Sequence, residues 1–382
     1  MFANLTEEQR LLVESLERFR RQDYTFEKRR THLKTLGAAD DPVWAMLAEM
    51  GWLAATLPEE HGGLGGTNAD LALLMDQFGR ALLASAFVPS VVLGAAALRL
   101  GGNAAQQAAH LPAITEGREK LAFAYLEAAG QHQPSSVATQ AKRDGGDYVL
   151  QGAKQAVLYG NVADHILVTA RTSGASRDAQ GISLFVVPAK AGGLSVDAYR
   201  THDDGWAADL ALDAVRVPAA NLVGAEGAAL PAIEATLDAG AVALCAEAVG
   251  IMWTLHEMTL DYIKVRKQFG ATLSSFQALQ HRMVNIYMKC QLAQSMAMAA
   301  AAALDNDDAR ARKRAVSAAK AQIGRAARAV GEDAIQLHGG VGFTWEYDPQ
   351  LYFKRAQASA HWLGSSDVLR EHALLDQGIG QL

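Results

Sequence analysis

The sequence is poor in cysteine and has no excess of positive charge. Two cysteines, Cys245 and Cys290, occur in 382 residues, and both lie in apolar stretches of helical character. They give no disulfide framework and suit a reducing compartment. Without a CxxC pair or paired histidines, they also argue against a zinc site, so we predict no metal. The net charge of −6 at pH 7 argues against nucleic acid as a partner, because nucleic-acid-binding surfaces carry a basic stripe.

Signals for export and for membrane insertion are also lacking. The N-terminal MFANLTEEQR has no basic region followed by an apolar run, as a signal peptide would have. No run of about 18 uncharged residues has transmembrane character. We therefore expect a cytoplasmic protein with no membrane partner. Apolar residues are abundant, at 50% of the chain, which is enough for a large core in two or three domains or one large fold of several parts.

Three segments of different pattern predict an α+β fold. Residues 1–117 form a helical domain, in which Thr6 and Gln9 are spaced as a capping box and a second helix covers about 41–50. Three more helical patterns run from 69 to 115. Residues 118–228 contain six or so short β-type runs separated by turn residues, which indicates a small antiparallel barrel or sandwich. Residues 229–382 return to long helices and predict a C-terminal four-helix bundle.

The boundaries of the C-terminal helices follow from caps and breaks. The helices predicted there cover 230–266, 276–304, 307–338 and 366–375. Ser274 or Ser275 is the predicted cap of the second, and Gly339-Gly340 is the predicted stop of the third.

One carboxylate interrupts an apolar helix in the third segment. Glu247 lies in LCAEAVG (244–250) and is the single charged residue between positions 239 and 253. A buried carboxylate costs several kcal/mol unless it is paired or neutral, but burial also makes it a stronger base. Its small neighbours Ala243 and Gly250 leave room for a planar ring or an acyl chain. The alternative is a structural carboxylate bonded to a neighbouring helix or an arginine; we predict the base.

Three stretches carry a resemblance to a known family. They are LPEEHGGLGG (57–66), DYIKVRKQFGATLSSFQALQHR (261–282) and AIQLHGGVGFTWEYDPQLYFKRA (334–356). With the order helical, β, helical, they resemble the acyl-CoA dehydrogenase family over nearly the whole chain. Within it, the pattern is most similar to small subunits of pimeloyl-CoA dehydrogenases and to chains of steroid side-chain dehydrogenases built from unlike subunits.

The resemblance implies a cofactor and a reaction. The cofactor is FAD, and the reaction is α,β-dehydrogenation of an acyl-CoA thioester. A carboxylate removes the α proton, the β hydrogen leaves as hydride to flavin N5, and the electrons pass to an electron-transferring flavoprotein. The acyl group, whether fatty, dicarboxylyl or steroid, is not readable from the sequence.

The resemblance also assigns residues that hold FAD across a subunit interface. In the 261–282 stretch these are Arg266, Gln268, Phe269 and Gln277, and a guanidinium suits a pyrophosphate. On spacing alone, Arg266 would be a helix C-terminal residue and Phe269 a core residue.

The second cofactor stretch ends a helix with two glycines. Gln336, His338, Gly339 and Gly340 match a family turn whose backbone approaches the neighbouring FAD, because glycine lets the main chain come close to a ligand. A plain helix C-cap is the alternative. A metal role for His338 is not expected, since it has no second ligand at helical spacing.

The usual catalytic positions of the family carry inert residues here. Leu363 stands where most members have a glutamate, and the other known placement of the base falls at about Gly240 or Ala241. Glu247 is therefore the predicted catalytic base. The resemblance further places Ser365 and Asp367 near the flavin.

The middle segment departs from the family. Of the usual contacts to the flavin ring, Glu127 is kept, whereas Leu126, Ala156 and Leu158 stand where hydroxyl or aromatic residues are usual. Asp238 matches a residue that contacts CoA, and a solvated helix residue is its alternative.

Three functions remain from this reasoning. The first is an FAD-dependent acyl-CoA dehydrogenase with acyl-CoA as substrate. The second is a non-catalytic subunit that completes the FAD site of an unlike chain, and the third is a flavin oxidase or monooxygenase on the same fold. Because the cofactor contacts come from two chains, we expect a dimer or tetramer of like or unlike subunits.

Overall fold

A computed structural model describes residues 5–38, 41–130, 132–344 and 347–375. The α-helices are α1 (Glu7–Arg18), α2 (Phe26–Thr35), α3 (Pro42–Glu49), α4 (Asn68–Ala81), α5 (Ala96–Gly101), α6 (Ala104–Thr115), α7 (Leu230–Val265), α8 (Gln277–Ala303), α9 (Ala309–His338), α10 (Pro349–His361) and α11 (Ser366–Leu375). The strands are β1 (Leu121–Ala124), β2 (Gln140–Asp144), β3 (Asp147–Leu158), β4 (His165–Arg171), β5 (Ile182–Pro188), β6 (Leu194–Arg200), β7 (Trp206–Pro218), β8 (Leu222–Val223), β9 (Lys267–Gln268) and β10 (Ala271–Thr272).

The chain forms two compact units. The first unit comprises Met1–Thr31, Thr67–Leu83 and Ala241–Leu382, and the second comprises His32–Gly66 and Ala84–Gly240. The division into three domains at 117/118 and 228/229 stays a prediction.

The first unit is helical, and local signals set its helix ends. Thr6 and Gln9 form the predicted capping box of α1 with both reciprocal bonds present. The predicted serine cap of α8 is wrong. The N-cap is Phe276, which makes no side-chain capping bond, because the hydroxyls of Ser274 and Ser275 bond to Thr272 instead.

Helices α4 and α7 of the first unit touch at two glycines. A Cβ added at Gly79 would lie 2.0 Å from the carbonyl oxygen of Glu247, and one added at Gly250 would lie 1.9 Å from that of Asp76. Only glycine permits this approach of two backbones. Helix α7 is long and apolar because most of it lies inside the protein: 89% of its most apolar 18-residue stretch is buried.

The second unit is built on one sheet with the strand order β6-β7-β3-β2-β4-β5-β8, and β1 pairs with β4. The predicted β domain is confirmed, with one correction to its strand directions. The pairs β1–β4 and β2–β4 are parallel, and the other pairs of this sheet are antiparallel. The side chains of its core, among them Tyr148, Phe185 and Leu210, are almost fully buried.

Two helices were not predicted. Helix α2 is dominated by charged and polar residues, so it lacks a clear apolar period. Helix α10 begins with Pro349 at its first turn, directly after Asp348. Proline at that position is a recognised start signal, and reading it would have placed α10 correctly.

Candidate active site

An exposed hairpin carries the first set of predicted cofactor residues. Strands β9 and β10 are joined by Phe269 and Gly270, both with positive φ (54° and 79°). This is the pattern of a type I′ turn, and holding phenylalanine there costs on the order of 1 kcal/mol. Phe269 is nevertheless 92% exposed. The hairpin therefore projects an aromatic ring outward beside the exposed Arg266 and Gln268.

Helix α8 follows this hairpin after one 3-10 turn, Leu273–Ser275. Gln277 is its first residue and is exposed. Because no side chain caps α8 within the described part of the chain, its first N–H groups are suited to an anion. Leu273 donates its N–H to the carbonyl of Arg266 at 2.8 Å, which closes the hairpin below the helix start.

The glycine turn at the end of α9 forms the second set. Gly339 has φ 67°, and a Cβ added at Gly339 or Gly340 would meet nothing within 4 Å. Gln336 is exposed one turn earlier. This stretch of main chain is thus open to a ligand. Tyr262 donates its hydroxyl hydrogen to the carbonyl of His338 at 3.2 Å, which ties the end of α7, and hence the hairpin, to the turn.

The imidazole of His338 lies among aromatic side chains and is 3% exposed. Its centroid is 4.5 Å from that of Tyr262 and 5.1 Å from that of Tyr347. Burial lowers the pKa of His338, and Nδ1 donates to the carbonyl of Ala334 at 2.8 Å. The buried ring therefore supports the turn from inside.

The burial predicted for Glu247 is confirmed, but its carboxylate is paired and not free. Its side chain is 3% exposed, as expected, but Nε and Nη2 of Arg355 donate to Oε1 and Oε2, each at 2.9 Å. The hydroxyl of Ser359 lies 3.4 Å from Oε2. A bidentate guanidinium therefore engages both oxygens of the carboxylate in charge-assisted bonds. This is the structural alternative that the sequence left open.

More charge lies next to this ion pair. Lys320 is 3% exposed, and its Nζ donates to the carbonyl of Ser359 at 2.6 Å. Burial lowers the pKa of Lys320 to about 8, and burial raises the pKa of the Cys245 thiol to about 12. The space expected beside Gly250 is also filled, because the backbone of α4 occupies it. Glu247 thus belongs to a packed polar network joining α7, α9 and α10.

The sequence missed Arg355 because its helix was missed. Arg355 and Ser359 are one turn apart on α10, so both point to the same face. Recognising the start of α10 at Pro349 would have shown a cation and a hydroxyl at this spacing.

The usual catalytic position is inert here. Leu363 has φ 60°, and Gly364 has φ 116°. Ser365 accepts a hydrogen bond from the N–H of Val368 at 3.4 Å, which is a local bond at the start of α11. Asp367 is exposed in the first turn of that helix. A cofactor contact from either residue stays a prediction.

In the second unit, Glu127 is used internally. Its carboxylate accepts from Lys154 Nζ at 2.6 Å and from the N–H groups of Ala138 and Thr139 at 2.7 and 3.1 Å. Burial by itself would raise the pKa of Glu127, but the charge of Lys154 and these bonds hold it below its ordinary value. Burial lowers the pKa of the fully buried Lys154 to about 8.

Asp238 is buried as well. It lies on α7 and is 2% exposed, so the solvated alternative kept for it is wrong. Contact with CoA stays a prediction for Asp238. In strand β3, Ala156 has φ 51° and donates its N–H to Asp209 Oδ1 at 2.9 Å, at a shift in the register between β3 and β7.

Comparison with known proteins assigns most of the chain to one family. Three family models match: the N-terminal domain of acyl-CoA dehydrogenase at residues 6–118, its middle domain at 122–215 and its C-terminal domain at 227–374. The chain belongs to the acyl-CoA dehydrogenase family. Members of this family are FAD flavoproteins, and the chain is accordingly an oxidoreductase that acts on acyl-CoA with FAD.

Individual relatives cover almost the full length. The chain is 30% identical over 373 residues to the probable acyl-CoA dehydrogenase YngJ of Bacillus subtilis, covering 96% of this chain and 97% of YngJ. It is 27% identical over 328 residues to subunit CarC of the caffeyl-CoA reductase-Etf complex of Acetobacterium woodii, covering 84% and 86%. The solved structure of a Tcur3481-Tcur3483 steroid ACAD variant has a TM-score of 0.87 at 28% identity, covering 97% and 98%. The narrower likeness to pimeloyl-CoA dehydrogenase subunits stays a prediction.

Proposed function

We propose that the chain works in α,β-dehydrogenation of an acyl-CoA as a subunit that holds FAD with the exposed hairpin and the glycine turn. The observation that carries this is the open surface at the ends of α7 and α9. This surface presents the guanidinium of Arg266, exposed glutamine amides and the aromatic ring of Phe269. They accompany the open main chain of the two glycines Gly339 and Gly340. When bound, FAD supplies the acceptor for the β hydrogen.

The chemistry of the donors fits the parts of FAD. Arg266 would bind the pyrophosphate, and the uncapped start of α8 at Gln277 adds N–H groups and a helix dipole. Phe269 would cover an apolar ring, and Gly339-Gly340 would let the main chain come close. These roles rest on the residues' exposure and type.

An oligomer is part of this proposal. Helix α8 exposes Val284, Met288 and Leu292, at 54%, 61% and 52%, on one face that starts just after the hairpin. Exposed apolar side chains in such a row are typical of an interface. A second subunit on this face would lie beside the hairpin, as expected for FAD shared between chains.

We propose that Glu247 positions α10 through Arg355 and does not act as the base. Both oxygens of its carboxylate accept charge-assisted bonds from Arg355, so the side chain is committed to α10. Since Leu363 is inert, this favours a second candidate: a subunit whose base comes from an unlike chain. The paired name of the steroid ACAD relative, Tcur3481-Tcur3483, agrees with such an arrangement.

The test begins with the purified chain. We expect a yellow protein, and Arg266→Gln should weaken FAD binding by about 10- to 100-fold, the cost of one charge-assisted interaction. Lys264→Gln makes the same charge change on the last turn of α7 and is the matched control. Equal FAD affinity in Arg266→Gln and the parent would contradict the site.

The second test separates the two candidates. Anaerobic bleaching of the flavin by a panel of acyl-CoA thioesters, with an electron-transferring flavoprotein as acceptor, would show that the chain supplies its own base. If bleaching needs an unlike chain, Leu363→Glu should restore it in part, since it places a carboxylate at the family's usual position; Leu363→Gln is the control. The cytoplasmic location is also part of the proposal, and fractionation of the source cells tests it.

A further inference from the structure

Two histidines and a glutamate meet in the second unit, away from the residues discussed so far. Nδ1 of His110 lies 2.8 and 3.0 Å from the two carboxylate oxygens of Glu119. Nδ1 of His165 lies 2.7 Å from Glu119 Oε1. The imidazole centroids are 5.1 Å apart at 75°. Two ring nitrogens thus converge on one carboxylate oxygen.

The three residues come from different elements that are held together. His110 lies on α6, Glu119 lies in the segment before β1, and His165 is the first residue of β4. Glu119 donates its N–H to the carbonyl of Ala113 on α6 at 3.1 Å. The neighbours of Glu119 and His165, Lys120 and Asp164, exchange two bonds of 2.8 Å. The backbone therefore fixes the cluster before any ligand arrives.

We propose that His110, Glu119 and His165 bind a divalent transition-metal ion of the Zn²⁺ class. Two imidazoles and a carboxylate are a known three-ligand zinc set that leaves a fourth position for water. The three ligand atoms lie within 4.8 Å of one another. Ligands about 2.1 Å from a tetrahedral ion are about 3.4 Å apart, so each nitrogen must move about 0.6 Å from the carboxylate oxygen.

Access and charge agree with this assignment. The side chains of His110, Glu119 and His165 are 15%, 9% and 32% exposed, so the cluster is mostly desolvated with an opening on the His165 side. An ion that binds Nδ1 replaces the hydrogen now shared with Glu119, and that hydrogen moves to Nε2 or leaves as a proton. The expectation of no metal rested on sequence spacing. His110 is nine positions and His165 is 46 positions from Glu119 in the sequence, so only folding brings the three side chains together.

The experiment uses the full-length, FAD-loaded protein after removal of metals by a chelator. Calorimetry with Zn²⁺ should give one saturable site per chain. Co²⁺ as a substitute should produce ligand-field absorption at wavelengths longer than those of oxidised flavin. Absence of a saturable site, or Co²⁺ absorption equal to that of free Co²⁺, would overturn the proposal.

Matched variants assign the site. His165→Gln changes the most exposed of the three ligands. Losing a residue that only supports a ligand weakens metal binding about 10- to 100-fold, and we expect this loss of a ligand to weaken Zn²⁺ binding by more than that. Glu119→Gln should do the same, and thermal melts without metal check that each variant folds. His202→Gln removes an exposed histidine of the same unit outside the cluster and should bind like the parent. Unchanged Zn²⁺ affinity in folded His165→Gln would refute the assignment.

Discussion

The pair Glu247–Arg355 allows one test of stability and mechanism together. Glu247→Gln keeps the shape of the side chain and removes its charge. Arg355 then loses the charge of Glu247 at a site where its side chain is 21% exposed. Removing one partner of a buried pair costs about 3–5 kcal/mol, and we expect the lower end, about 3 kcal/mol, because Arg355 is partly hydrated.

The assay is thermal unfolding of the FAD-loaded protein. At about 2 °C per kcal/mol for a large protein, the melting temperature of Glu247→Gln should fall by about 6 °C. The double variant Glu247→Gln with Arg355→Met should recover part of this loss, since it removes the ion pair as a whole. The coupling between the two sites should reach about 1–3 kcal/mol, within the range for residues in one network.

Turnover decides between positioning and catalysis. If Glu247 only positions α10, folded Glu247→Gln keeps most of the rate that the parent chain or its assembly shows. A variant with unchanged melting temperature and bound FAD but no turnover would refute this reasoning, and would make Glu247 the base in spite of the ion pair.

Three further predictions use other features of the fold. Gly250→Ala should destabilise the protein strongly, because the added Cβ would lie 1.9 Å from the carbonyl oxygen of Asp76. Gly340→Ala is the control and should fold normally, because its Cβ would meet nothing within 4 Å. The melting temperatures of the two variants make the comparison. Burial lowers the folded-state pKa of Lys320 from 10.5 to about 8. Between these two pH values the unfolded chain binds more protons than the folded chain, so Lys320 makes the free energy of unfolding rise with pH. Urea titrations at several pH values should show a smaller rise in Lys320→Met. Met288→Lys should lower the oligomeric state by placing a charge on the exposed α8 face, and light scattering that shows the parent's mass would contradict that interface.

The sequence by itself determined the order of helical and β segments, because hydrophobic period and turn residues are local properties of the chain. The capping box at Thr6 and the stop of α9 at Gly339 are local in the same sense. The family motif assigned Phe269 to the cofactor site, whereas spacing alone predicted a core residue; the structure shows it 92% exposed in a hairpin turn.

Tertiary structure alone decided what the buried acids do. Glu247 is paired with Arg355, which is 108 positions away, and Glu127 is paired with Lys154 at a separation of 27. The partner of a buried charge is chosen by how distant segments pack, and an ion pair leaves no periodicity in either segment. The same holds for His110, Glu119 and His165, which become neighbours only when α6 and β4 come together.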